Sequence, residues 1–360
     1  MPNCLQDASL YRVGLQGDVR LYELKANRFR NRYFVLNSPD STHLLASPEV
    51  VGYASYLALL PATSAALRFL LSEGLEADVD ILTILRGGLN YPVEEACYES
   101  GIRVRDMHFV SCERIIRDHV ITGLEIKYEK LTLTRGRTLV IGDILATGDT
   151  FRMCFDHIVE RFRQGGGSIR RILFFTVGGT RAIELMEEAT PRIKRIFPGF
   201  EGFTCFFYEG VFSVYEDTGE TGINVPDIDF GWKGGAVSPD FRQAVMDRPE
   251  ALVEKCIIYD GGARRYEIPL HFSEVMEYWE GIRERAERID LKALLEEKLG
   301  YSSPIGYEGW LAATHLDPSR DYRDLWKAEQ DLVRKSEVMD LRDIATRRIG
   351  AIQTIQKLYE

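Results

Sequence analysis

The chain has 360 residues, 45% hydrophobic and 28% charged, an ordinary globular balance, and its net charge of −10 argues against broad contact with nucleic-acid backbones. No apolar run reaches the roughly eighteen residues that a membrane-spanning helix needs, so no membrane segment is expected. The start, Met1-Pro-Asn-Cys-Leu-Gln-Asp7, lacks the regions of a secretory signal, and six scattered cysteines form no Cys-x-x-Cys pair, so a cytoplasmic protein with free thiols is expected.

Residues 1–45 are mixed. Leu21 to Leu36 reads as one or two strands, and Asn37-Ser-Pro-Asp40 as a turn. Ser47-Pro48-Glu49 has the marks of a helix start: a cap, a Pro in the first turn, then an acid. That helix runs through Leu60 and is broken by Pro61; a second covers Ala62 to Leu71 and ends at Gly74. Val79 to Leu85 is a strand that runs into Arg86-Gly87-Gly88. Pro92 to Ser100 is a helix closed by Gly101, Arg103 to Ser111 alternates as a strand, and Lys127 to Leu133 belongs to a hairpin or flap.

Thr138 to Ile141 is a buried strand. It leads into Gly142-Asp143 and then into Ala146-Thr147-Gly148-Asp149-Thr150, a loop of small and hydroxyl residues. Phe151, Cys154, Phe155, Ile158 and Val159 follow at helical spacing, so the loop opens a helix that stops at Gly165-Gly-Gly167. Arg171 to Val177 is a strand, Gly178-Gly179-Thr180 opens a helix through Glu188, and Phe203 to Tyr208 is a further strand. Strands alternating with helices predict an α/β fold, a parallel sheet with helices on both faces. After about residue 240 the chain is charge-rich and helical: Phe272, Val275, Met276, Trp279 and Ile282 keep helical spacing, as do Leu341, Ile344, Ala345, Ile349 and Ile352. The expected organisation is an α/β domain over 1–238, with 1–45 as hood or flap elements, and a helical accessory domain over 239–360. Gly231 to Pro239 joins the two.

A strand, a small-residue loop and a helix N-terminus make an anion site. Free backbone N–H groups point outward, the helix dipole favours negative charge, and Thr hydroxyls add donors. Asp143 beside that site suits a sugar hydroxyl or a metal-bound water. Ligands of open parallel sheets bind at the carboxyl ends of the strands. There Arg86-Gly87-Gly88 offers close backbone approach and a fixed cation, chemistry that suits pyrophosphate; alone it also reads as a turn with a solvated Arg. Arg103 and Arg105 lie on one face of a strand and read either as solvated or as facing the site. The six histidines show no ligand spacing, and His119 reads as a surface residue or part of a loop over the site. Trp232 either stacks on a ring ligand or covers the join between the domains.

The run from Thr138 to Thr150 resembles the PRPP-binding loop of type I phosphoribosyltransferases. That pattern is an apolar strand, two acidic residues, two variable ones, then Ala/Ser-Thr-Gly-Gly/Asp-Thr/Ser; here Gly142 stands at the first acidic position. Ile84-Leu85-Arg86-Gly87-Gly88-Leu89 is similar to the pyrophosphate loop of uracil phosphoribosyltransferases, the nearest members in motif order. Glu113-Arg114 and Tyr128-Glu-Lys-Leu131 resemble the segment between their two loops. Gly222 to Gly231 resembles their base-binding segment, with Asp227 and Asp229 in place of glycines. The resemblance spans roughly residues 45–235.

The resemblance implies transfer of a phosphoribosyl group from PRPP to a nitrogenous base, uracil-like or larger, with release of pyrophosphate. Ala146, Thr147, Gly148, Asp149 and Thr150 would hold the 5′-phosphate. Arg86, Gly87 and Gly88 would hold pyrophosphate, and Asp143, Arg86 and Arg114 would be catalytic. Pro226, Asp227 and Asp229 would meet the base, although Pro-Asp is equally a common turn. Mg²⁺ would come with the substrate, touching Asp143 through water. A homodimer with small-molecule partners is expected, without nucleic acid or membrane. The competing expectations are a non-catalytic PRPP sensor acting through the helical region, and a transferase for a large acceptor.

Overall fold

The computed structural model describes residues 4–117, 120–146, 148–214, 230–255 and 263–359. Three N-terminal strands, β1 (Ser9–Gln16), β2 (Val19–Lys25) and β3 (Arg32–Asn37), lead into α1 (Pro39–Ala46), α2 (Tyr53–Leu57) and α3 (Leu60–Ser72). Then come β4 (Asp78–Leu85), a single 3-10 turn at Gly87–Asn90, α4 (Val93–Glu99), β5 (Arg103–Arg117), β6 (Val120–Lys130) and β7 (Arg137–Gly142). The α/β part continues with α5 (Asp149–Gln164), β8 (Ile169–Gly179), α6 (Thr180–Ile196), β9 (Gly202–Val214) and β10 (Phe230–Val237).

These strands form one ten-stranded sheet in the order β1-β2-β3-β9-β8-β7-β4-β5-β6, with β10 paired to β9. From β3 through β5 the neighbours are parallel. β1, β2, β6 and β10 add antiparallel pairs at the margins, so the expected parallel sheet is mixed. Ile172 to Phe175 of β8 and Cys205 to Tyr208 of β9 are fully buried apolar runs, as the middle of strands covered on both faces must be. From β4 the chain moves outward to β5, then restarts at β7 and moves the other way to β8 and β9. The crossovers therefore lie on opposite faces: α3 packs with α4 on one, α5 with α6 on the other.

Four local expectations change. Asn37-Ser-Pro-Asp40 is the end of a strand and the start of a helix, because Ser38 and Ser41 form a reciprocal cap and Pro39 sits in the first turn. Ser47 ends that helix rather than opening one. Pro61 does not break a helix; it lies in the first turn of α3, where its missing N–H is no loss. Gly231 to Pro239 is mostly the strand β10, whose glycines allow close approach to β9. A β-carbon on Gly235 would lie 2.4 Å from the Val211 carbonyl oxygen. The stretch Tyr53–Ser72 is long and apolar enough to pass for a membrane span, but 61% of it is buried inside the protein, where α3 packs on β2 and β3.

The helical region comprises α7 (Pro239–Ala244), α8 (Pro249–Leu252), α9 (Ala263–Tyr266), α10 (Ile268–Arg285), α11 (Leu291–Leu299), α12 (Tyr307–Thr314), α13 (Arg323–Ser336) and α14 (Leu341–Gln356). Its apolar core is continuous with that of the sheet. Trp232 is buried under the Arg242 guanidinium and beside Phe241, so it covers the junction. Arg242 in turn pairs with the fully buried Glu329 at 3.0 Å. Arg264 reaches back into the α/β part: it donates to the carbonyls of Leu44, Ser47 and Val50 at 2.6–2.8 Å.

Candidate functional site

The strand order reverses between β4 and β7, and the carboxyl ends of the strands at such a reversal are the usual ligand position of an open α/β sheet. The loop after β4 carries Arg86-Gly87-Gly88 and the loop after β7 carries Gly142 to Thr150. They touch: a β-carbon on Gly87 would fall 2.1 Å from Asp143 Oδ1, and one on Gly88 would fall 3.1 Å from the Gly142 carbonyl oxygen. Only glycine leaves room for that approach. The Leu85–Arg86 peptide is cis.

The third glycine loop lies on the same edge. The Asp143 N–H donates to the Phe175 carbonyl, the Leu145 N–H to the Thr176 hydroxyl and the Gly179 N–H to the Leu145 carbonyl. These bonds continue the β7–β8 ladder past its end and fix the first half of the loop. Gly148 then adopts φ +75° and caps α5. A side chain there would strike Leu185 of α6, 2.2 Å away. The phosphate-type loop is thus held by β8 on one side and α6 on the other.

Asp143 is 8% exposed and accepts the Ile144 N–H at 2.8 Å. Burial pushes its carboxyl up from 3.8 to about 7, against the pull of that hydrogen bond. Position 142 has no room for an acid: a β-carbon there would lie 2.3 Å from Tyr91 Cβ. Tyr91 is buried, and its hydroxyl accepts the Val177 N–H at 3.1 Å. The tyrosine therefore fills the space and ties α4's approach to β8. Nothing local in the sequence links Tyr91 to Gly142.

Arg86 is well exposed, and its Nη1 lies 3.6 Å from Glu267 Oε2. The last pair of β4 with β5 is Leu85 with Ser111. Beyond it, residues 112–117 pair with β6 alone and project past the carboxyl edge as a two-stranded arm. Arg114 lies on this arm; its side chain, like those of Asp149 and Thr150, is outside the described set. Thr147, His119, Pro226, Asp227 and Asp229 are outside the described residues. Arg103 and Arg105 both bond Asp78 at the opposite edge of the sheet, away from these loops. Glu267 and Arg265, from the helical region, border the Arg86 loop without any sequence signal.

Among the described residues no three His, Cys, Asp or Glu side chains gather as a metal site. Of the described carboxylates in these loops, Asp143 would be the one to meet a divalent cation, and it would supply at most one of the several oxygen ligands such an ion takes.

No family model matches the chain, and no curated protein does. Solved structures overlap it in part. The AQ2163 protein of Aquifex aeolicus is 14% identical with a TM-score of 0.32, covering 46% of this chain and 80% of that one. A hypoxanthine phosphoribosyltransferase of Staphylococcus aureus is 14% identical with a TM-score of 0.27, covering 36% and 65%. The hypoxanthine-guanine phosphoribosyl transferase of L. donovani is 12% identical with a TM-score of 0.28, covering 37% and 75%. Overlaps this partial name neither a ligand nor a reaction for this chain.

Proposed function

We propose that the chain transfers a phosphoribosyl group from PRPP to a nitrogenous base. One observation carries the reading: two anion-type loops meet at the strand-order reversal, with the buried Asp143 carboxylate between them. Such an arrangement suits a ligand with a phosphate at each end and hydroxyls in the middle. The loop from Ala146 to Thr150 and the N-terminus of α5 take the 5′-phosphate. Arg86, with Gly87 and Gly88, takes pyrophosphate, and Arg114 adds a second cation.

In the reaction a ring nitrogen of the base bonds to C1 of the ribose as the bond from C1 to pyrophosphate oxygen breaks. The electron pair leaves with pyrophosphate. The chain's work is to hold both phosphates, keep water away and place negative charge beside the developing positive sugar. Asp143 supplies that charge and a hydrogen bond to a ribose hydroxyl. Pro226, Asp227 and Asp229 form the base side. Asp143 would hold Mg²⁺ through water, and the ion when bound would neutralise phosphate charge. The acceptor is uracil-like or a larger heterocycle, and the working form is a cytoplasmic homodimer.

A second reading has its own observation. With Tyr91 in the place an adjacent acid would need, Asp143 is the single carboxylate at the end of β7 among the described residues. One carboxylate is enough to recognise a ribose, so a PRPP sensor without turnover fits this feature too. Calorimetric titration of PRPP with Mg²⁺, followed by a pyrophosphate-release screen over bases, separates the two. Binding with release establishes the transferase. Binding without release from any base favours the sensor, and absence of binding overturns both.

A further inference from the structure

We propose that Glu267 is a positioning residue for the Arg86 loop: it holds the Arg86 guanidinium as an internal counter-anion that pyrophosphate displaces, so that the helical region responds to occupancy of the loop. The inference rests on the reading of that loop as a pyrophosphate site.

The helical region grips the loop at both ends, and the two grips differ. At the far end, Arg265 Nη1 donates to the Leu89 carbonyl. The same guanidinium lies 3.8 Å from the Tyr56 ring centroid and 4.9 Å from that of Tyr266, so it is held in place by stacking as well. Tyr56 is itself anchored, because its hydroxyl donates to Glu95 of α4. At the near end, Glu267 meets Arg86 at 3.6 Å with both side chains substantially exposed, a loose ion pair. The backbone grip is fixed and the ionic grip is exchangeable.

The segment that carries Glu267 is firmly seated. The Gly52 N–H donates to the Arg264 carbonyl at 2.9 Å, and the buried Arg264 side chain bonds three carbonyls of the α/β part. Glu267 is the residue before α10, yet its side chain does not cap that helix. Its carboxylate is turned to Arg86 instead. A pyrophosphate group entering the loop presents several negative oxygens to the same guanidinium. It takes over Arg86 and repels Glu267, and by linkage whatever holds Glu267 in place weakens pyrophosphate binding.

The test titrates inorganic pyrophosphate with Mg²⁺ into the full chain by calorimetry, using the wild type, Glu267→Gln, Glu267→Asp, Arg86→Gln and the double variant Arg86→Gln/Glu267→Gln. Glu267→Gln should bind about two- to fivefold more tightly, the range that loss of an exposed ion pair permits. Glu267→Asp should stay close to the wild type. In the Arg86→Gln background the Glu267 change should add nothing. Unchanged or weaker binding by Glu267→Gln overturns the inference, as does an equal gain without Arg86, which would report bulk charge alone. Where Arg86→Gln binds too weakly to measure, a control acid decides: Glu280→Gln, partly exposed on α10, should leave the affinity at the wild-type value, and a gain equal to that of Glu267→Gln overturns the proposal. A wild type that binds neither pyrophosphate nor PRPP removes the reading of the loop itself, a result distinct from a wild type that binds and a variant that does not differ.

Discussion

Two buried carboxylates, one strand apart in the sheet, show what separates a structural acid from a candidate functional one. Glu209, near the carboxyl end of the parallel part of β9, is fully buried, and burial pushes it up to about 7. Asp143, after β7, is pushed to the same value for the same reason. Their partners differ. Glu209 accepts from the Asn37 amide at 2.7 Å, the Ser38 N–H at 3.3 Å and the Ser41 hydroxyl, so it secures the start of α1. Asp143 accepts one hydrogen bond among the described residues, from its own neighbour, and faces the glycines of the opposite loop. A raised pKa alone does not mark a site. Unspent hydrogen-bonding capacity beside two anion-type loops does.

The largest contrast should appear in turnover. Asp143→Asn is expected to lower the rate of pyrophosphate release by about a hundredfold, the scale of losing one preorganised electrostatic group, with phosphate affinity little changed. Wild-type turnover in that variant would put Asp143 in the same class as Glu209. Next in size, Gly87→Ala should weaken PRPP binding by roughly tenfold or more while the protein stays folded. Its methyl group forces apart the two loops whose spacing sets the geometry; unaltered affinity in calorimetry would mean the loops act independently. Glu209→Ala should do the reverse, costing about 1–3 kcal/mol of stability in chemical denaturation through its orphaned donors, with PRPP affinity intact in the folded fraction.

The last contrast concerns pH, and there the two acids should agree. Both have folded values near 7, above the 3.8 and 4.5 of exposed Asp and Glu, so the fold favours their protonated forms. The stability they contribute is present below about pH 4 and is lost as pH rises towards 7. Asp143→Asn should therefore melt above the wild type at about pH 8, and the gap should close near pH 4. A gap independent of pH in thermal unfolding would show that Asp143 is not held in the buried state described.

The order of elements around the candidate site was legible because its signals are local. A buried strand, a small-residue loop and a helical repeat lie within one run, Thr138 to Val159, and the structure keeps that order. The Arg86 loop was legible for the same reason. What the sequence hid was placement across long separations. Tyr91 occupies the space that an acid at position 142 would need, and no periodicity connects them. Glu267 and Arg265 reach the Arg86 loop from a region whose sequence shows only amphipathic helices. The segment of β10 was read as a joint between the two parts, whereas the lack of a side chain at Gly235 is what lets the strand lie against β9. Pro39 was read as part of a turn and Pro61 as a helix break, because proline in a first helical turn and proline in a loop look alike in sequence.

Arg264 carries a consequence for how this molecule can be divided. Its guanidinium answers three carbonyls where the chain leaves α1, deep in the α/β part, although it is itself encoded far along the helical region. A fragment ending before that arginine would keep every strand of the sheet and both loops, yet would leave those carbonyls to solvent in place of their donor. Co-expressing the two fragments cut at that point would supply the donor in trans.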